Sequence, residues 1–295
     1  MLYLRKKEEK TPVMFLTPAL IIIGLIFFYP VCRVIWDSFF RINGAQRELI
    51  WLENYAQLLS DKLFWSSVLN NLKLFLCVPV LVVLSLLFAV ILFYRIPGWR
   101  IYRVLLLIPY ILSITVVGIV FDYLLREDGL INLILNQVGL SSLATPWLGN
   151  TSTALYAIMF VVVWKELGFG IILFLARLLS IDESVLEAAR LDGAGAWKIT
   201  KNILLPELKS VLSFYIILSL INMLSWMFNY IFVMTRGGPQ NSTYIMEYYI
   251  YQMGIRYRQY GTSSALAVIL LIFALILVLV QYQVKKRLNT EEEEW

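Results

Sequence analysis

Six stretches of this chain are almost wholly apolar, and each is about twenty residues long or longer, the length a helix needs to cross a bilayer. Polar segments separate them. Lipid offers no partner to a free backbone amide or carbonyl, so each stretch has to be helical. The expected spans are 13–36, 68–93, 101–125, 153–178, 210–234 and 262–284. Composition agrees: 60% of the residues are hydrophobic and 15% charged, against about 45–50% and about 25% in a soluble domain. The expected fold class is therefore an all-α integral membrane protein with six transmembrane helices. Residues 1–12 form a basic head, 13–284 the transmembrane domain and 285–295 a polar tail. The first apolar run is too long for a secretory signal and lacks a small-residue cleavage pattern, so it reads as a retained span.

Orientation follows from the basic residues. A net charge of +5 invites a nucleic-acid reading, but the cations cluster at span ends, as membrane topology requires, so no nucleic-acid partner is expected. The head, the Arg95–Arg103 turn, the 180–206 segment with its flanks and the tail hold fifteen Lys and Arg; the opposite loops hold seven. The richer side faces the cytoplasm, which places both ends and the 180–206 segment inside.

Several chemistries are excluded. The chain has no histidine, which removes Ser-His and Cys-His catalysis and the usual zinc sites. Cys32 and Cys77 have no metal-site spacing. No G-x-x-x-x-G-K-[ST] phosphate loop occurs, so the chain is not expected to hold ATP or any cofactor of its own, nor to be an enzyme.

The segment SIDESVLEAARLDGAGAWKITKNILLP, Ser180 to Pro206, is polar between two long apolar runs. Ser180 with Glu183 is a capping-box spacing, so a helix is expected to start there. Val185, Leu186, Ala188 and Ala189 give it an apolar stripe, and Gly193 is placed to close it. A second short helix, about 197–205, follows before Pro206. The result is a helix-turn-helix with small residues where a partner can approach closely.

These residues resemble the EAA loop of ABC-importer permeases of the binding-protein-dependent family. Glu187-Ala188-Ala189, three residues, Gly193, nine residues and Ile203-Leu204-Leu205-Pro206 match its anchors and spacing; Asp192, Ala194 and Trp197 fit the carbohydrate-uptake branch. Thr235-Arg236-Gly237-Gly238-Pro239 with Ser242-Thr243, Gly261 to Ala267, and Thr17-Pro18-Ala19 through Tyr29-Pro30 extend the likeness over nearly the whole chain. The resemblance implies a MetI/MalF-like permease fold, N-in and C-in, with a cytoplasmic coupling helix. It implies a second permease subunit, two copies of a cytoplasmic ABC ATPase that holds the ATP and magnesium, and an extracytoplasmic solute-binding protein, in a bacterial or archaeal cell membrane. Glu187, Ala188, Ala189, Asp192 and Gly193 would contact the ATPase, with Glu187 in an ion pair. The implied solute is a sugar, oligosaccharide or related polyol.

Polar residues inside spans are costly and call for a functional reading. Ser219, Asn222, Trp226 and Asn229 recur at helical spacing on one face of the fifth span, with Tyr230 beside them. Amides both donate and accept, and an indole stacks on a sugar ring, so this face suits a neutral polyhydroxylated solute. The competing reading is that Ser and Asn fasten this helix to its neighbours. In the fourth span, Trp164, Lys165 and Glu166 lie mid-membrane, before Gly168-Phe169-Gly170. Neighbours on a helix point about 100° apart, so Lys165 and Glu166 need not pair with each other. Glu166 is a candidate acceptor for substrate hydroxyls or one half of an interhelical ion pair. The alternative class is an ion-coupled secondary carrier using Lys165 or Glu166. Asn70, Asn71, Asp122 and Tyr123 read as interfacial.

Overall fold

The computed structural model describes residues 10–43 and 46–293; most of the basic head lies outside the described residues. In chain order, α1 (Lys10–Ile23) passes through a π-turn, Gly24–Phe28, into α2 (Tyr29–Asp37). Strands β1 (Phe40–Asn43) and β2 (Gln46–Leu49) follow, then α3 (Glu53–Ser60), α4 (Lys62–Leu74) and α5 (Cys77–Phe93). Next come α6 (Trp99–Ile111), α7 (Ile114–Leu124), α8 (Leu130–Gln137) and α9 (Ala154–Leu178). The remainder is α10 (Glu183–Leu191), α11 (Ala196–Glu207, with a π-turn at Thr200–Leu204), α12 (Lys209–Ser225), α13 (Met227–Met234), α14 (Met246–Tyr251) and α15 (Tyr260–Glu293).

Among the described residues, four helical stretches are long and apolar enough to cross a membrane: Leu16–Asp37, Lys62–Phe93, Ala154–Leu178 and Tyr260–Gln283. Two bent pairs raise the number to as many as six, α6 with α7 at 100° and α11 with α12 at 62°. In place of the expected third span stand two helices sharply bent against each other. Pro109 has no N–H for the ladder and its ring crowds the preceding turn, and Leu112 and Ser113 then adopt extended backbone. The expected fifth span is interrupted at Trp226 (φ −106°, ψ −10°), between α12 and α13. The all-α expectation is also corrected in one place: β1 and β2 pair antiparallel with Arg41 opposite Glu48.

The described chain divides into two compact units. The first comprises residues up to Asp61 together with Tyr249–Ile272. Here Asn54, buried, ties the chain after α2: its Nδ2 donates to the carbonyls of Ser38 (2.8 Å) and Phe40 (3.0 Å), and its Oδ1 accepts from Thr262 (3.3 Å). Gly261 lies against the Phe40 carbonyl, where a Cβ would collide. Arg41 bridges Glu48 at 3.0 Å and Glu53 at 2.6 Å.

The second unit holds Lys62–Tyr248 and the end of α15 from Phe273. Its centre is α9, packed on α5 and α6. Ile158, Val161, Val162, Ile171, Phe174 and Leu178 are buried there with Leu81, Ala89 and Leu92 of α5. Half of the most apolar window of α9 is buried, whereas none of that of Leu16–Asp37 is. A span with no buried side has its full apolar surface available to lipid or to another chain.

Candidate coupling loop and buried polar centre

The loop between α9 and α12 opens differently from the capping-box expectation. Asp182, not Ser180, caps α10: its Oδ1 accepts the Ser184 amide at 3.0 Å, and that bond holds the Asp182 carboxyl below the usual range. Ser180 instead donates to the carbonyl of Arg177 at 2.7 Å, finishing α9. An aspartate two residues before the first free amide competes better for it than a serine further upstream. The far end of α10 is a Schellman closure, with the Ala194 amide on the Ala189 carbonyl (2.9 Å) and the Gly193 amide on that of Arg190 (3.0 Å). Gly193 takes φ +76°, as the motif demands.

Only Leu186 of α10 is buried; Glu187, Ala188 and Asp192 are exposed and Ala189 is half-buried. Ile199 and Leu204 seat α11. Two large apolar side chains stand out in the open, Leu191 at 89% exposure and Trp197 at 78%. No atom lies within 4 Å of where a Cβ on Gly193 or Gly195 would be. The loop therefore leaves an acidic residue, small residues and bare apolar groups exposed.

The second candidate lies halfway along α9. Lys165, 6% exposed at the side chain, puts Nζ 3.3 Å from the carbonyl of Tyr110, in the last turn of α6 before its break. That carbonyl belongs to a helix end, where the partial negative charge of the dipole favours a cation. The same Nζ is 3.3 Å from Glu166 Oε1, and Tyr230 on α13 donates its hydroxyl to that oxygen at 3.0 Å. Adjacent Lys165 and Glu166 thus do pair, because the four-carbon stem of lysine carries its ammonium around the helix. Gly168 allows the approach: a Cβ there would meet the Leu106 carbonyl at 2.9 Å and Tyr110 Cβ at 3.0 Å. A Cβ on Gly170 would collide with Ser85 and Tyr215.

The structure joins Glu166 to Tyr230, and the other residues of the fifth-span face differ in burial. Ser219 is buried, and the Tyr215 hydroxyl lies 3.5 Å from Ser85 Oγ. Asn222 and Asn229 are half-buried, and Trp226, at the helix interruption, is 55% exposed. Trp164 packs edge-on against Phe121 at 5.1 Å between ring centroids. Tyr110, Tyr215 and Ser85 belong to this centre and were missed; Pro109 was the one signal that something happens at Tyr110.

Asn70 and Asn71, read as interfacial, are buried anchors. Asn70 Nδ2 donates to the carbonyls of Ser242 (2.9 Å) and Tyr244 (2.8 Å). Asn71 donates to Glu247 Oε2 and accepts the Met246 amide, both at 2.9 Å. The Gly237-Gly238-Pro239 turn is knitted by its own threonines: Thr243 Oγ1 donates to the Gly238 carbonyl and meets Thr235 Oγ1, each at 2.8 Å.

The description of the inner-membrane component of binding-protein-dependent transport systems matches residues 60–290, and the chain belongs to that family. It is a multi-pass membrane permease subunit of an ABC importer, a transport component and not an enzyme, and the ion-coupled carrier reading is set aside. A probable ABC transporter permease of Pyrococcus horikoshii is 32% identical over 90% of this chain and 92% of that protein. The sulfoquinovosyl glycerol transport system permease of Agrobacterium fabrum is 34% identical over 88% of this chain and 84% of its own. The fold matches a bacterial alginate ABC transporter, solved with an alginate pentasaccharide-bound periplasmic protein, at a TM-score of 0.83, 21% identity and 97% and 98% coverage.

Proposed function

We propose that this subunit lines the translocation path for a sugar, oligosaccharide or related polyol and couples to a separate ATPase through the 180–206 loop. The sugar reading draws support from the sulfoquinovosyl glycerol and alginate systems to which the chain is similar. Six spans, with both ends and the loop cytoplasmic, fit the fifteen-to-seven bias of cationic residues. A second permease subunit covers the bare face of Leu16–Asp37, two copies of an ABC ATPase hold the nucleotide and magnesium, and an extracytoplasmic binding protein delivers the solute. Within the membrane, Glu166, Asn222, Trp226 and Asn229 face the path, and Trp164, Ser219 and Tyr230 back them. Glu166 takes hydroxyl hydrogens, while the Trp226 ring offers a stacking face to a sugar.

One observation carries the coupling assignment: Leu191 and Trp197 stand exposed on the loop that also exposes Glu187. Aromatic side chains exposed next to a charge are what a protein partner buries. Glu187 meets a cation of the ATPase, and Glu187→Lys both removes an attraction and creates a like-charge contact. Gly193→Val strains the left-handed turn by about 1–2 kcal/mol. The test is to purify complexes carrying each variant, then measure ATPase co-purification and uptake into proteoliposomes. The expected result is loss of the ATPase or of transport in both, and normal uptake in both would remove the assignment.

A further inference from the structure

We propose that Arg177, Glu207 and Tyr94 are positioning residues that make the coupling loop a rigid lever, fixed at both ends of α11 to the membrane helices. The proposal rests on the reading that this loop docks an ATPase. It asks a different question: how a push on an exposed helix pair reaches the spans instead of merely bending the loop.

The loop leaves α9 at Leu178 and returns to α12 at Lys209, so its base is the place where the two strands of chain lie side by side. Arg177 closes that base with its whole guanidinium. Nε donates to the Glu207 carbonyl at 3.1 Å, Nη2 to the Glu207 carboxylate, and Nη1 to Ser180 Oγ at 3.1 Å. An isolated surface ion pair holds little. Here one planar fork grips the backbone and side chain of a single residue and the first residue of the loop together, a geometry that lysine cannot copy. The C-terminal end of α11 is thereby tied to α9.

Tyr94 secures the other end. It sits in the turn between α5 and α6, and its hydroxyl donates to the Ala196 carbonyl at 2.9 Å and lies 2.9 Å from Thr200 Oγ1. One hydroxyl has one hydrogen to give, so Thr200 donates in return. Ala196 opens α11, and Thr200 begins its π-turn. Tyr94 therefore pins α11 to the α5–α6 turn one span away from Arg177. Held at two points to different helices, α11 cannot tilt without moving α5, α6, α9 and α12 with it. Freed at either point, it can rock while the spans stay still.

The experiment uses the full complex, with second permease, ATPase and binding protein, in proteoliposomes. Three quantities are read: ATPase retained, ATP hydrolysed, and solute moved per ATP. For Arg177→Ala and Tyr94→Phe, the ATPase stays bound and hydrolysis continues, while solute moved per ATP falls about fivefold or more, the size of a lost coupling. Arg177→Lys recovers only part of that loss, and Arg177→Glu with Glu207→Arg recovers more than either single change. An unchanged ratio in either Arg177→Ala or Tyr94→Phe overturns the lever. Loss of the ATPase from those complexes also overturns it, since these residues would then serve docking. Glu187→Lys is the separate control: if it alone is defective, docking at the loop stands and only the lever falls; if it too is normal, the docking reading fails.

Discussion

At the scale of single residues, the buried centre on α9 is where energy is concentrated. Lys165 and Glu166 share one contact, and Tyr230 completes it. Removing one member of such a pair leaves the other charge uncompensated in an apolar surrounding. Lys165→Met is expected to destabilise by about 3–5 kcal/mol. Tyr230→Phe removes one hydrogen bond to a charged group and is expected to lose about 1.5–3 kcal/mol. Adding Glu166→Leu to Lys165→Met removes the orphaned charge, so the double variant is expected to melt above the Lys165→Met single. Thermal unfolding in detergent across the cycle checks this, and a double variant that melts at the sum of the two losses would show the pair to be uncoupled. The sequence marked Lys165 and Glu166 as expensive, but it did not mark their partners. Tyr110 contributes a backbone carbonyl, which every residue has, and Tyr230 lies 64 positions from Glu166.

Among the elements, a loop closure is fixed by a few adjacent residues, whereas a helix face depends on an unbroken backbone. Gly193 sits at the positive φ its spacing required, because a helix closure is a local event written in a few adjacent residues. The Ser219–Asn229 face assumed one unbroken helix. Trp226 interrupts that helix, with φ at −106° against about −63° in a regular one. The start of α10 was misplaced because Ser180 and Asp182 both satisfy the rule for caps, and only geometry decides which amide is within reach. The role of α4 was hidden for another reason: Asn70 and Asn71 serve residues more than 170 positions away. That anchoring has a pH dependence. Burial pushes the Glu247 carboxyl up to about 7; Asn71 is its hydrogen-bonding side chain, and its Oε1 has no partner. A raised carboxyl favours the folded segment below its ordinary value of 4.5, and the contribution is lost as pH climbs through about 7. Proteolysis within residues 240–250 is expected to quicken between about pH 5 and about pH 8. Glu247→Gln keeps the Asn71 contact and should make the profile flat; a wild-type profile that is already flat would refute the assignment.

For the whole molecule, the long apolar helices of a membrane protein were legible because lipid leaves few solutions, while the bends were not. Hydropathy sees Trp99–Leu124 as one apolar run, since Leu112 and Ser113 differ from their neighbours in backbone angle and not in polarity. Orientation is open to a direct check. In a chain with Cys32 and Cys77 changed to alanine, a cysteine at Gln137 should react with an impermeant reagent in intact cells, and one at Gly195 should not. Reaction at Gly195 would invert the arrangement and with it the coupling assignment. The 100° bend carries a further consequence, for how the protein is made. Neither α6, with 13 residues, nor α7, with 11, is long enough to cross the hydrocarbon layer alone, which takes about 20. Carbonyls laid bare at their junction find no partner in lipid. The Tyr110 carbonyl meets its cation only when Lys165 arrives, and Lys165 lies on a span that leaves the ribosome later. The elbow therefore has its Tyr110 carbonyl paired only once α9 stands beside it.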